Sequence, residues 1–325
     1  MHSVHINAFG KPWEVVEALA LPDPGAPGAG EIVIEMEFSP INPSDLVLMR
    51  GLYGVKPKLP APVGSEGLGR VTKIGSGVAG LKEGDRVLFP RGTSTWLTRS
   101  KVKADGLFAL PINADPQQLS MLTVNPPTAY LLLTEYVSLK NGDWVIQSAG
   151  NSGVGRAVIA IAKQMGVHTV SVVRRPELID ELKTLGADVV LVEGPDLAKR
   201  VAEATGKAKI MLALDSVGGA GLMSLNDSLA NGGTLVAYGV MSGGPGPFFM
   251  APNIFRDLTL KGFWLLNWFN KSTPARVVEV QKKMAGWIAD GTIFTPVDAT
   301  YPLSEAAAAI SHAAKGTGKI LFKGS

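Results

Sequence analysis

Gln147-Ser148-Ala149-Gly150-Asn151-Ser152-Gly153-Val154-Gly155-Arg156 is the stretch on which the reading of the whole chain turns. Before it stands the short apolar run Asp143-Trp144-Val145-Ile146, and after it residues 157–165 carry small and apolar side chains as far as Gly166. Strand, glycine-rich turn and helix in that order bring backbone N–H groups and a helix N-terminus to one place, an arrangement suited to a pyrophosphate. The glycines at 150, 153 and 155 do not form a literal G-x-G-x-x-G, and ordinary strand-to-helix turns use glycine too, so the surroundings have to decide.

Downstream the surroundings are regular. Strands are expected at 144–147, 169–173, 189–192, 210–214, 234–238 and 259–263, with helices at 157–165, 177–185, 197–204 and 222–229. Six strands joined by crossovers of this length specify a doubly wound parallel sheet, the Rossmann arrangement of an α/β domain. Upstream the texture differs: 31–38, 69–74 and 85–89 are short alternating segments cut by Gly and Pro, which predicts a mainly antiparallel β domain. Helices are expected around 117–122 and 128–133. Beyond residue 264 come a long helix at 274–290, a second at 303–310 and a last strand at 319–322, with too little core to fold alone. This tail is expected to return to the N-terminal lobe. The resulting division is 1–122 with 265–325 for one domain and 123–264 for the nucleotide domain.

Composition narrows the function. The 325 residues include no cysteine, which removes thiolate nucleophiles, disulfides and cysteine-held zinc. No apolar run approaches the ~18 residues that would span a bilayer, so no membrane partner is expected. The net charge of +3 comes from 31 basic against 28 acidic residues, too even for a nucleic-acid footprint. The densest basic run, Arg99-Ser100-Lys101-Val102-Lys103, reads as a solvated strand or loop edge. The four histidines, His2, His5, His168 and His312, are scattered, and the first two lie at a terminus expected to be mobile. No metal site is expected, and Glu66 in Gly64-Ser65-Glu66-Gly67 reads as structural rather than as a ligand.

About twenty residues past the glycines, where an NAD site places an acid for the ribose hydroxyls, the chain has Val172-Val173-Arg174-Arg175-Pro176. Arg174 and Arg175 suit a 2′-phosphate instead, through charge-assisted hydrogen bonds, so the cofactor is expected to be NADPH.

Several separated segments resemble the zinc-free members of the medium-chain dehydrogenase/reductase superfamily: Asn42-Pro43-Ser44-Asp45, Gly64 to Gly67, Gly75-Ser76-Gly77-Val78, Gly84-Asp85-Arg86-Val87 and the turn at 149–155. Within it, Arg50-Gly51-Leu52-Tyr53, Gly92-Thr93-Ser94-Thr95-Trp96, Val124-Asn125-Pro126-Pro127-Thr128-Ala129-Tyr130 and Gly262-Phe263-Trp264-Leu265 are similar to the mitochondrial-type 2-enoyl thioester reductases. The resemblance implies a GroES-like β domain beside the Rossmann domain. It also implies NADPH-dependent reduction of the trans-2 double bond of an enoyl-CoA or enoyl-carrier-protein thioester, with Tyr53 as proton donor or enolate-orienting group. It places Asn125 by the nicotinamide, Gly150, Asn151, Ser152, Gly153, Val154 and Gly155 by the pyrophosphate, and Thr128, Tyr238, Gly239, Val240, Met241, Phe263, Trp264, Leu265 and Lys319 along the cofactor. Asn42 and Trp264 would face the substrate. A homodimer joined at the last nucleotide-domain strand is implied as well. Because residues 1–7 show no basic flank leading into an apolar block, a bacterial-type cytoplasmic reductase is expected. An NADPH quinone reductase, or a reductase of small α,β-unsaturated carbonyls, is the competing enzyme. A non-catalytic NADPH-binding protein is the competing class.

Overall fold

The computed structural model describes residues 1–244, 246 and 250–324. Two compact units emerge: Met1–Val124 with Pro274–Ser325, and Asn125–Thr273. The tail is thus part of the first unit. The helix Leu265–Lys271 falls in the second unit rather than with the tail.

In the second unit the six strands are all parallel, in the order Val189–Val192, His168–Val173, Trp144–Gln147, Ile210–Asp215, Thr234–Ala237, Thr259–Gly262. The chain builds outward from Trp144–Gln147 in one direction and then returns to its other side with Ile210–Asp215. The carboxyl ends of those two strands therefore flank the reversal of strand order, the place where such sheets take ligands. The strands are apolar on both faces because helices cover both: Ile146, Val170, Ala213 and Leu235 are buried on this sheet. Helix Gly153–Gln164 buries Ala157, Val158, Ile159, Ile161 and Ala162.

The first unit is built around the ten-residue strand Glu31–Pro40, which pairs antiparallel with Leu68–Ile74, Arg99–Lys103 and Lys319–Lys323. Ile32, Ile34 and Met36 point into its core with Val71, Val87, Trp96 and Phe322, and the Trp96 and Phe322 rings meet edge to face at 4.9 Å. Arg99-Ser100-Lys101-Val102-Lys103 is an ordered strand with one buried side chain, Val102. Its charges are answered across the pair by Glu31, which meets Lys103 at 3.3 Å, and Glu35, which meets Arg99 at 3.1 Å.

The N-terminus corrects an expectation. His2–Ile6 is not a mobile end but the middle strand of a small sheet, between Val16–Ala20 and Ala61–Pro62. Val4 and Ile6 are fully buried there, which outweighs the weak strand signal of a histidine-bearing segment. No helix among the described residues is long and apolar enough to cross a membrane.

Candidate functional site

Within the second unit, side chains from four strand ends surround the glycine turn. Ser152 caps helix Gly153–Gln164, its hydroxyl accepting from the N–H of Gly155 at 3.0 Å. A Cβ on Gly155 would lie 2.6 Å from the carbonyl oxygens of Ala149 and Gly150, and one on Gly153 would lie 2.7 Å from the Asn125 amide nitrogen. Larger residues would push the turn open. Asn125, the first residue of helix Asn125–Thr134, is thereby seated against the turn, while Thr128 lies buried one helical turn further on.

A second layer supports this turn. Gln147 donates to the Gly155 carbonyl at 3.0 Å and to Ser171 at 3.1 Å. Ser148 donates to the fully buried Asp215 at 2.7 Å and accepts from Ser216 N–H at 3.0 Å, and Asp215 in turn accepts from the N–H groups of Val217 and Gly218. These groups lock the two strand ends at the reversal point to each other. Sequence reasoning passed over Ser148, Asp215 and Ser216, although an acid closing the apolar strand Ile210–Asp215 just before Gly218-Gly219 was visible in the sequence.

The hydroxyls of Tyr238 and Ser216 are buried without a hydrogen-bond partner. Burial pushes the Tyr238 phenol upward, with the Ser216 and Ser152 hydroxyls close by, so it stays neutral and able to donate. Buried orphan hydroxyls, a turn tight enough to exclude side chains and a capped helix N-terminus together fit a dinucleotide. Arg174 and Arg175 follow directly on strand His168–Val173 with exposed side chains, Arg175 loosely paired with Glu177 at 3.8 Å. Gly239 packs against the Ser216 backbone, and Val240 and Met241 are exposed. The Phe263 ring meets Tyr136 edge to face, and Trp264 precedes helix Leu265–Lys271, with Trp264 and Leu265 partly buried.

The first unit holds a different constellation. Asn42 is 2% exposed and caps the helix Pro43–Met49. Its side-chain amide donates to Glu66 Oε1 at 2.7 Å and accepts from the Lys319 ammonium, which also reaches the Ile41 carbonyl at 3.5 Å. The other Glu66 oxygen accepts from the N–H of Val124 at 2.8 Å, and Asp45 accepts from the N–H of Asn42 at 2.8 Å. Burial pushes Glu66 up to about 7, opposed chiefly by the Lys319 charge. Burial likewise pushes Asp45 up to about 6 against the Asn42 N–H and the Ser65 hydroxyl, while Lys319 is pushed down by burial. Asn42 and Lys319 were expected beside substrate and cofactor; within this unit they bind each other. Tyr53 stands half-exposed in the loop four residues past the end of helix Pro43–Met49.

Zinc does not fit these residues. The cluster offers two carboxylates with an ammonium already among them, there is no cysteine, and among the described residues no three His, Asp or Glu side chains group as a metal site requires.

Residues 28–111 match the alcohol dehydrogenase GroES-like domain, and residues 153–282 match the zinc-binding dehydrogenase family. The mitochondrial enoyl-[acyl-carrier-protein] reductase of Rattus norvegicus is 39% identical over 315 residues, covering 93% of this chain and 83% of that protein. Among solved structures, a complex of the Candida tropicalis enzyme Etr1p with NADP and crotonyl-CoA superposes with a TM-score of 0.89 at 27% identity, over 99% of each chain. Etr1p also forms a heterodimer with Etr2p. The Escherichia coli quinone oxidoreductase complexed with NADPH gives a TM-score of 0.88 at 26% identity, over 99% of this chain and 100% of that one. The expectation of a cytoplasmic protein is overturned by these relatives, since the matching enoyl reductases are mitochondrial. Its premise, the character of the first seven residues, does not encode a compartment.

Proposed function

The chain belongs to the medium-chain dehydrogenase/reductase superfamily, near the enoyl thioester reductases, and on that premise we propose that it is an NADPH-dependent oxidoreductase that reduces the trans-2 double bond of an acyl thioester. The observation that carries the reading is 39% identity to an enoyl-carrier-protein reductase across 93% of the chain, with Tyr53 half-exposed on its loop.

NADPH, when bound, supplies the hydride. The residues suited to hold it are the N–H groups and capping hydroxyl of 150–155 at the pyrophosphate, Arg174 and Arg175 at the 2′-phosphate, and Asn125, Tyr238 and Phe263 towards the nicotinamide. Once the β-carbon of the substrate gains the hydride, negative charge moves to the thioester oxygen as an enolate, and the α-carbon then takes a proton. A phenol, with an ordinary pKa of about 10, is neutral at working pH; it can donate a hydrogen bond to that oxygen or the proton itself. Tyr53 fills this role, and either a CoA or a carrier-protein thioester satisfies the chemistry. A homodimer is part of the reading, joined along the strand Thr259–Gly262, whose residues are all exposed at the sheet edge.

The likeness to an NADPH-bound quinone oxidoreductase supports one second reading, reduction of a quinone or small enone, in which a placed proton donor matters less. Turnover on crotonyl-CoA and on a simple quinone, each with unchanged protein and with Tyr53→Phe, separates the two. The thioester reading expects crotonyl-CoA to be the better substrate and Tyr53→Phe to lower its kcat by about 100-fold with NADPH affinity unmoved. Preference for the quinone, or full turnover without the phenol hydroxyl, overturns it.

A further inference from the structure

The buried polar cluster of the first unit has a direction. Lys319 and the Val124 N–H can only donate. Asn42 must therefore turn its oxygen to Lys319 and its nitrogen to Glu66, and Glu66 must accept at both carboxylate oxygens. The main chain of Glu66 is pinned as well, its carbonyl accepting from Ser39 at 2.6 Å and from Thr95 at 2.9 Å. Asn42, so oriented, gives its own N–H to Asp45 and closes a reciprocal cap on helix Pro43–Met49.

The far end of that helix is fixed too. Gly10 N–H donates to the Met49 carbonyl at 2.9 Å, Leu52 N–H to Val47 at 3.1 Å, and a Cβ on Gly51 would lie 3.1 Å from the Phe9 side chain. The next residue is Tyr53. One short, doubly anchored helix thus joins the cluster to the loop that carries the phenol.

We infer that Glu66 is a positioning residue for Tyr53: its ionised carboxylate orients the Asn42 amide, and Asn42 sets the root of the helix from which the Tyr53 loop springs. The inference rests on the role given to Tyr53 above. A neutral group at position 66 would present a donor where Asn42 or Val124 also donates, and one bond of the chain would open. Lys319 and Asp45 are the charged groups facing Glu66, so its ionisation, with burial raising it to about 7, depends on both.

The test is a double-mutant cycle on crotonyl-CoA with NADPH. Glu66→Gln should lower kcat about tenfold, with NADPH affinity unchanged, because small displacements of a reacting group are costly. In the Tyr53→Phe background the same substitution should lower kcat less than about twofold, since the group it positions is gone. Equal losses in both backgrounds overturn the inference and leave the role of Tyr53 standing. A Tyr53→Phe protein with full kcat overturns the role of Tyr53 and the inference with it. If Glu66→Gln does not fold, Glu66→Asp, which keeps the charge but draws it back from the Asn42 amide, takes its place in the same cycle with the same two outcomes.

Discussion

In the proposed reading, single residues carry the cofactor choice. The pair at Arg174 and Arg175 ends a buried strand with both side chains exposed, and Arg175 makes a loose 3.8 Å contact to the exposed Glu177. Such a pair contributes little to stability, which leaves it free to serve a ligand. Arg174→Ala with Arg175→Ala should raise KM for NADPH about tenfold or more, as the loss of charge-assisted hydrogen bonds requires, and leave KM for NADH within about twofold. Equal effects on the two cofactors would remove the pair from the site. The turn at 150, 153 and 155 was legible because its meaning is local: a strand end, three glycines and a capped helix. Glu66 was not. Its partners at 42, 45, 124 and 319 are scattered along the chain, and only the fold makes a lone acid in a glycine turn the centre of a polar network.

At the scale of elements, the parallel sheet could be read from period alone, since buried strands alternating with helical stretches admit few other arrangements. Among the elements that escaped that reading, His2–Ile6 carries two histidines in five residues and Val297–Pro302 holds an Asp and a Pro. Each is a strand because a partner strand supplies its hydrogen bonds, and tertiary pairing overrides weak intrinsic preference. The outermost strand of the nucleotide sheet carries a further consequence. Among the described residues Thr259–Gly262 pairs on one side only and exposes Leu260, while Ile254 and Phe255 on the preceding helix Met250–Arg256 are 66% and 84% exposed. An open edge beside exposed apolar side chains invites a second copy. Leu260→Glu with Phe255→Glu should convert a dimer to a monomer in sedimentation, with the melting temperature of dilute protein hardly changed. A monomer before substitution, or a dimer after it, would relocate or remove the interface.

For the molecule as a whole, the buried acids tie stability to pH. Glu66 and Asp45 titrate at about 7 and about 6 in the folded protein, against ordinary values of 4.5 and 3.8. The folded state holds their protons more tightly than the unfolded chain does, so the stability linked to them is present at low pH and is lost as pH rises through these folded values. Glu66→Gln removes one of the two groups. Its melting temperature, measured relative to the unchanged protein, should therefore climb between about pH 5 and pH 8; a flat or falling difference would contradict the buried placement of this carboxyl. The tail from Pro274 shares a unit with the N-terminal segments, but its register, with Lys319–Lys323 beside Phe38–Pro40, could not come from local pattern.

That last strand also sets an order on synthesis. The sheet begun at Glu31 is completed only when Lys319–Lys323 has been made, whereas the residues of 125–273 are all in hand much earlier. During translation the nucleotide unit can close first, while the N-terminal β segments wait with an unfilled edge for a strand still inside the ribosome. Until it arrives, Asn42 and Glu66 are also without their lysine. A nascent chain stalled short of Lys319 would thus expose a β edge to chaperones and proteases. The lysine that completes the polar network thus arrives with the strand that fills the sheet edge.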